Sequence, residues 1–166
     1  KKVIEKLKEE IIHSKEFDSL TGLPMRARFD ENLDVAIQKA KDQEINLHLT
    51  CIDIDHFKSV NENYGSELGD EILRKLVQSI KSIVPNKSGR LYRLGGDSFA
   101  LLFSEEAEKD VQGMISSLVT LNASGDKLLK SYQSHVSVGT AKLTPNMSGR
   151  DLWLKAVEDM RNNRKT

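Results

Sequence analysis

Two short acidic stretches hold the residue types that could do chemistry. "CIDIDHFKSVNENYGSELGDE" starts at Cys51 and sets Asp53 and Asp55 at the end of an apolar run, while "RLGGDSF", Arg93 to Phe99, sets Gly95, Gly96 and Asp97 between two strand-like runs. Side chains alternate along a strand, so Asp53 and Asp55 face one way and Ile54 the other. Carboxylates gathered where a chain leaves a sheet are costly unless something positive joins them, and a divalent cation is the common solution. Either stretch alone has a plainer reading: the acids of "DID" cap a turn, and "GGD" is an ordinary hairpin turn. Together they suggest phosphoryl transfer. Asp53 and Asp97 would hold metal ions that stabilise attacking and leaving oxygens, and the glycines would leave bare backbone for a phosphate chain.

The donor types narrow the cation. A calcium loop of the EF-hand kind is excluded, because a loop opening at Asp53 has Phe57 at a ligand position and Lys58 where glycine is required. Zinc is not expected, since His13, His48, His56 and His135 have no ligand-like spacing with one another or with Cys51. Magnesium, held by few carboxylates and by the phosphates of a ligand, fits better. Cys51 sits in "LHLTCIDI" and reads as a small buried hydrophobe rather than a nucleophile.

The positioning elements follow from periodicity. Residues 1 to 16 carry Val3, Ile4, Leu7, Ile11 and Ile12 at helical spacing among charges, a narrow apolar stripe too short to define a coiled coil. "DSLTGLP" breaks that pattern, with Pro24 expected in the first turn of a second helix running to about Lys41. "LHLTCIDI", 47 to 54, reads as a buried strand. After a polar connection, Leu68, Ile72, Leu76, Ile80 and Ile83 mark an amphipathic helix that stops near Pro85. "RLYRLGGDSFALLF" reads as a hairpin, followed by a helix at about 107 to 121, a strand at about 133 to 141 and a last helix from about 149. This order implies an α/β (α+β) sandwich of the ferredoxin-like kind, with a mixed sheet, a central hairpin and flanking helices.

Composition bounds the partners. The chain has 166 residues, enough for one domain with a real core. Its 25 basic and 25 acidic residues cancel, so neither nucleic acid nor an acidic membrane surface is an expected partner of this domain. The lone cysteine suits a reducing compartment, and no segment approaches a membrane span. A cytoplasmic domain is expected, compatible with a membrane anchor elsewhere in a parent protein.

With both acidic stretches in view, the sequence resembles the GGDEF domains, the diguanylate cyclases that condense two GTP into cyclic di-GMP. "DSLTGLPMRARF" is similar to the family's D-x-LTGL-x-NR-xx-F, "DIDHFKSVNENYGSELGD" to D-x-D-x-FK-xx-N-xx-x-GH-xx-GD, "RLGGDSF" to R-x-GGDEF, and "VSVGTA" to the closing S-x-GVA strand. The resemblance covers residues 18 to 166, expected to form the GGDEF domain, and leaves 1 to 17 as a helix expected to end a signalling stalk. It implies Mg²⁺ or Mn²⁺ held by Asp53, Asp97 and the Ile54 carbonyl. It also implies a triphosphate wrapped by His56, Phe57 and Lys58, and a nucleotide lying against Gly95 and Gly96. Asn61 and Asp70 would read guanine. A carboxylate can accept from the N1 and N2 hydrogens of guanine but would stay unpaired against adenine. Lys58 joins Asp53 and Asp97 as the implied catalytic group, catalysis requires a homodimer because each domain holds one GTP, and an upstream sensory domain is implied.

Several positions depart from the family pattern. Ser98 replaces the signature glutamate, and a neutral hydroxyl is a poor magnesium ligand. Met25, Ser66 and Arg161 replace the family's asparagine, histidine and tyrosine, while Arg164 stands where a phosphate-contacting lysine is usual. The chain stops before the glycine and arginine that usually follow. The R-x-x-D of product inhibition is replaced by "NKSG", Asn86 to Gly89, so that feedback is expected to be lost. Two readings stay open: a diguanylate cyclase, weakened at Ser98, and a regulatory domain that binds GTP or a protein partner without turnover.

Overall fold

The structure of the protein is a computed structural model, and it describes residues 1–84, 89–124 and 135–164. Helix α1 (Lys2–Glu16) leads into α2 (Arg26–Gln43), strand β1 (Leu47–Ile54), helices α3 (Phe57–Tyr64) and α4 (Ser66–Ile83), and the hairpin β2 (Gly89–Arg93) and β3 (Ser98–Ser104). A short 3-10 turn (Glu105–Ala107), α5 (Glu108–Ser124), β4 (Val136–Lys142) and α6 (Gly149–Arg164) complete the chain. Pro85, the expected helix stop, lies outside the described residues, as do Asn86, Lys87 and Ser88 of "NKSG" and residues 133 and 134 of the expected last strand.

The four strands are ordered β2-β3-β1-β4. This is the ferredoxin-like arrangement, but the expectation of a mixed sheet is corrected: all three pairings are antiparallel. β1 and β2 run in the same direction, as a crossover through helices requires, yet β3 lies between them and gives each an antiparallel neighbour. The hairpin is therefore central only through β3, and β2 forms an edge.

Alternation sorts the strand residues onto two cores. Ile52, Ile54, Phe99, Leu101 and Phe103 join the core under α3, α4 and α5, while Leu49, Cys51, Tyr92, Ala100 and Leu102 join the core under α2 and α6. β1 is covered on both faces, which explains its near-continuous apolar run. Helix α2 contributes Phe29, Leu33, Ile37 and Ala40 at helical spacing, each large apolar side chain stabilising by about 1.5–3 kcal/mol on full burial. Cys51 is free and buried, as expected, and burial pushes its thiol up to about 12.

Three local outcomes differ from the sequence reading. The "polar connection" after β1 is helix α3, which buries only Phe57 and Val60, too short a stripe to show as periodicity. Pro24 is not in the first turn of α2. It bridges to Phe17, and its carbonyl accepts from Arg93 N–H at 3.0 Å. Helix α6 lies directly on β4 at Gly139, where an added Cβ would stand 2.2 Å from the Met160 nitrogen and 2.3 Å from the Ala156 oxygen. That close approach fixes where the end of α6, Arg164, arrives. Among the described residues no helix is long and apolar enough to cross a membrane.

Candidate functional site

The carboxyl end of β1 is where the acids meet. Asp53 sits opposite Ser98 on β3 and Ser137 on β4. Beyond Asp53, Ile54 N–H donates to the Asp97 carbonyl at 3.1 Å, so the glycine turn closes over the strand end, and Asp55 N–H donates to the His135 carbonyl at 2.7 Å. Arg164 reaches in from α6. Its Nη2 lies 3.0 Å from Asp55 Oδ1 and 3.4 Å from Asp53 Oδ2, which puts the two acids on one side as alternation required. Its Nε donates to Ser137 Oγ at 3.0 Å, and that hydroxyl donates to Asp55 Oδ2 at 2.6 Å.

One guanidinium does not balance three carboxylates. Burial first, and then the negative charge of Asp53, push the Asp97 carboxyl above its ordinary value, with Arg164 offsetting only part. An excess of clustered negative charge at a site that is only partly buried is what a divalent cation would relieve, and the all-oxygen donor set of Asp53 and Asp97 suits Mg²⁺ or Mn²⁺.

The glycines have no structural reason of their own. Gly95 and Gly96 are exposed, a Cβ added to either would meet nothing within 4 Å, and neither has a left-handed backbone. Their bareness leaves the outer face of the turn open. The turn is held from behind by Arg93, whose Nε and Nη2 donate to the carbonyls of Gly95 (3.3 Å) and Gly96 (2.8 Å) while Nη1 pairs with Asp18 at 2.9 Å. Asp18 in turn accepts from the Thr21 backbone N–H and hydroxyl at 2.9 and 2.6 Å. The "DSLTG" turn and the "GGD" turn thus form one braced unit.

The remaining expected residues divide. His56 has φ +57° at the N-cap of α3, a sharp reversal beside the acids, and Phe57 is buried in the core, so it offers only backbone. Asn61 points against α4, where its buried Oδ1 has no hydrogen-bond partner and an added Cβ on Gly69 would stand 1.8 Å from it. Asp70 follows on α4, half-buried. The missing Cβ of Gly69 is the space that the Asn61 amide fills, which leaves that oxygen buried and unpaired. Lys58 does not join the acids: its side chain is 91% exposed and lies 3.8 Å from Glu62, one turn along α3. Arg164 is placed on the acids themselves. Sequence reasoning missed the Ser137–Asp55 link and the Asp18–Arg93 brace, whose only trace was that each lies inside a quoted motif.

A family model described as "Diguanylate cyclase, GGDEF domain" matches residues 15–166. The chain belongs to this family. The GGDEF domain is 32% identical over 142 residues to "Probable diguanylate cyclase DgcC" of Escherichia coli (strain K12), covering 85% of this chain and 38% of that protein. Among solved structures it resembles the GGDEF domain of DgcB from Caulobacter crescentus, described in complex with c-di-GMP, at 28% identity and TM-score 0.77 over 90% of each chain. The longer form of that protein, with its coiled coil, matches 99% of this chain and 88% of its own at TM-score 0.79 and 23% identity, a likeness of fold. The chain spans between 22% and 46% of the first curated relatives it matches.

Proposed function

We propose that this GGDEF domain binds GTP at the carboxyl end of β1 and condenses two GTP into cyclic di-GMP, at a rate limited by Ser98. The observation that carries the reading is the convergence of Asp53 and Asp97 beneath an unobstructed Gly95–Gly96 turn, with the Asp97 carboxyl pushed up by burial and then by the charge of Asp53. Asp53, Asp97 and the Ile54 carbonyl would hold Mg²⁺ or Mn²⁺, which when bound supplies charge neutralisation at the triphosphate. The backbone of His56 and Phe57 would run along the phosphates. Lys58, exposed at the surface, would have to swing in to reach them. Asn61 and Asp70 would accept from guanine and reject adenine.

In the reaction, the 3′-hydroxyl of one GTP attacks the α-phosphorus of the other. An O–P bond forms, the bond to pyrophosphate breaks, and the hydroxyl proton must be taken up. Ser98 stands opposite Asp53 where the family signature has a carboxylate, and a neutral hydroxyl cannot take that proton or add charge for the metals. Repetition with the roles exchanged closes the ring, so two domains must face each other. The exposed stripe of α1, Val3, Ile4, Leu7, Ile11 and Ile12, is the surface we assign to that pairing and to a sensory partner upstream, in a cytoplasmic setting.

The second reading is a GTP-binding regulatory domain without turnover. Ser98 favours it, as does Arg164, which is paired with Asp53 and Asp55 and would have to release them to serve a phosphate. The deciding experiment is product analysis after incubating a zipper-dimerised domain with GTP and Mn²⁺. Cyclic di-GMP from the natural sequence supports the cyclase. None from it, with product restored by Ser98→Glu, establishes the second reading.

A further inference from the structure

The opposite end of β1 carries a second cluster of ligating side chains. His48 pairs across the sheet with Phe103 and Lys142, and its ring stacks on Phe103 at 5.1 Å and 11°. At the end of β3 the chain turns through Glu105, whose N–H donates to the Asn46 carbonyl at 3.2 Å, and enters α5 at Glu108. A ring nitrogen of His48 and one carboxylate oxygen each from Glu105 and Glu108 lie within 4.8 Å of one another. The imidazole is 6% exposed, and its Nε2 is buried with no hydrogen-bond partner. A buried polar nitrogen left unpaired is costly, and the ring that carries it supplies one nitrogen to this cluster.

We propose that His48, Glu105 and Glu108 form a binding site for one divalent transition cation of the zinc class, separate from the Asp53–Asp97 site. An imidazole nitrogen with two carboxylate oxygens suits zinc or its borderline neighbours, whereas magnesium and calcium prefer oxygen alone. Bonds of about 2.0–2.2 Å would need the ligand atoms to draw closer, which the exposed Glu105 and half-buried Glu108 side chains can do. Two neighbours compete for Glu105: Lys142 Nζ lies 4.0 Å from one oxygen, and Asn46 Nδ2 donates to the other. The expected affinity is therefore below that of a site built for zinc alone. Sequence spacing could not show it, because the ligands come from the start of β1 and the far side of the hairpin. A bound ion would tie the first turn of α5 to the sheet.

The test is calorimetric titration of Zn²⁺ into the metal-stripped domain without nucleotide, with the His48 imidazole followed by NMR. One saturable equivalent is expected, with the His48 resonances shifting in step. The surface double variant Glu105→Gln/Glu108→Gln should weaken binding by at least about tenfold, while Asp53→Asn/Asp97→Asn leaves it intact. Bound Zn²⁺ should also raise the melting temperature in proportion to log concentration, in the wild type and not in the double Glu variant. His48→Gln could fail to fold because the ring is in the core, so the glutamate pair carries the decision. Absence of a saturable equivalent, binding unchanged in the glutamate double variant, or binding lost in the aspartate double variant would overturn the proposal.

Discussion

Asp18 and Asp97 are held by the same braced unit yet live under opposite electrostatic regimes. Asp18 is 12% exposed, and burial alone would raise its carboxyl, but the two hydrogen bonds from Thr21 and the guanidinium of Arg93 outweigh that and hold it below the ordinary range. Asp97 has burial and Asp53 against it and receives only partial relief from Arg164. The first acid is satisfied and belongs to the frame. The second is held above its ordinary range by burial and by Asp53, the kind of perturbation that marks a candidate functional site. A sequence shows two aspartates; only their surroundings separate scaffold from chemistry.

The contrast is broken most severely at the site itself. Asp97→Asn should lower Mn²⁺-dependent cyclic di-GMP formation by a dimerised Ser98→Glu domain at least about a hundredfold, measured by product chromatography, with the fold intact. Retained product would mean that Asp97 is not a metal ligand.

The frame breaks differently. Arg93→Ala leaves a largely buried Asp18 unpaired and releases the Gly95 and Gly96 carbonyls, so it should cost about 3 kcal/mol of stability, read from urea unfolding. The pH dependence should carry the same signature. The folded pKa of Asp18 is depressed, so its contribution is fully present above its unfolded value of 3.8 and is lost as pH falls below it. Arg93→Ala should therefore flatten the acid limb of the stability profile.

A smaller effect has the opposite sign. The folded pKa of Asp97 is raised, so the folded state holds that proton more tightly. Stability falls as pH rises from 3.8 through the raised value. Asp97→Asn should thus stabilise the metal-free domain at neutral pH by less than about 1 kcal/mol, the exposed side of the site being screened. Ser98→Glu should do the reverse, lowering the melting temperature without metal while helping turnover with it.

Much of this was legible in the sequence. The hairpin, the buried β1 and the convergence of Asp53 with Asp97 follow from alternation and a glycine turn, and each element has enough apolar periodicity to be placed. Helix α3 escaped because two buried residues, Phe57 and Val60, make no pattern. The antiparallel pairing of the whole sheet depends on β3 entering between β1 and β2, a tertiary choice with no local mark. The engagement of Arg164 with Asp53 and Asp55 joins the last helix to the first strand, and the zinc-class cluster joins β1 to the end of the hairpin. In both cases residues far apart in the chain meet only through the sheet. Lys58 shows the converse: it falls at a motif position in the sequence, but its side chain lies in solvent.

The acid end of β1 is proposed to be a guanine-nucleotide site. Titrating GTP and ATP into the domain in Mg²⁺, beside Asp70→Ala, tests it most directly. Saturable GTP binding is expected, exceeding ATP binding by at least about tenfold and losing that preference in the variant. Equal affinity for both nucleotides in the natural sequence, or a preference unchanged by Asp70→Ala, would contradict it.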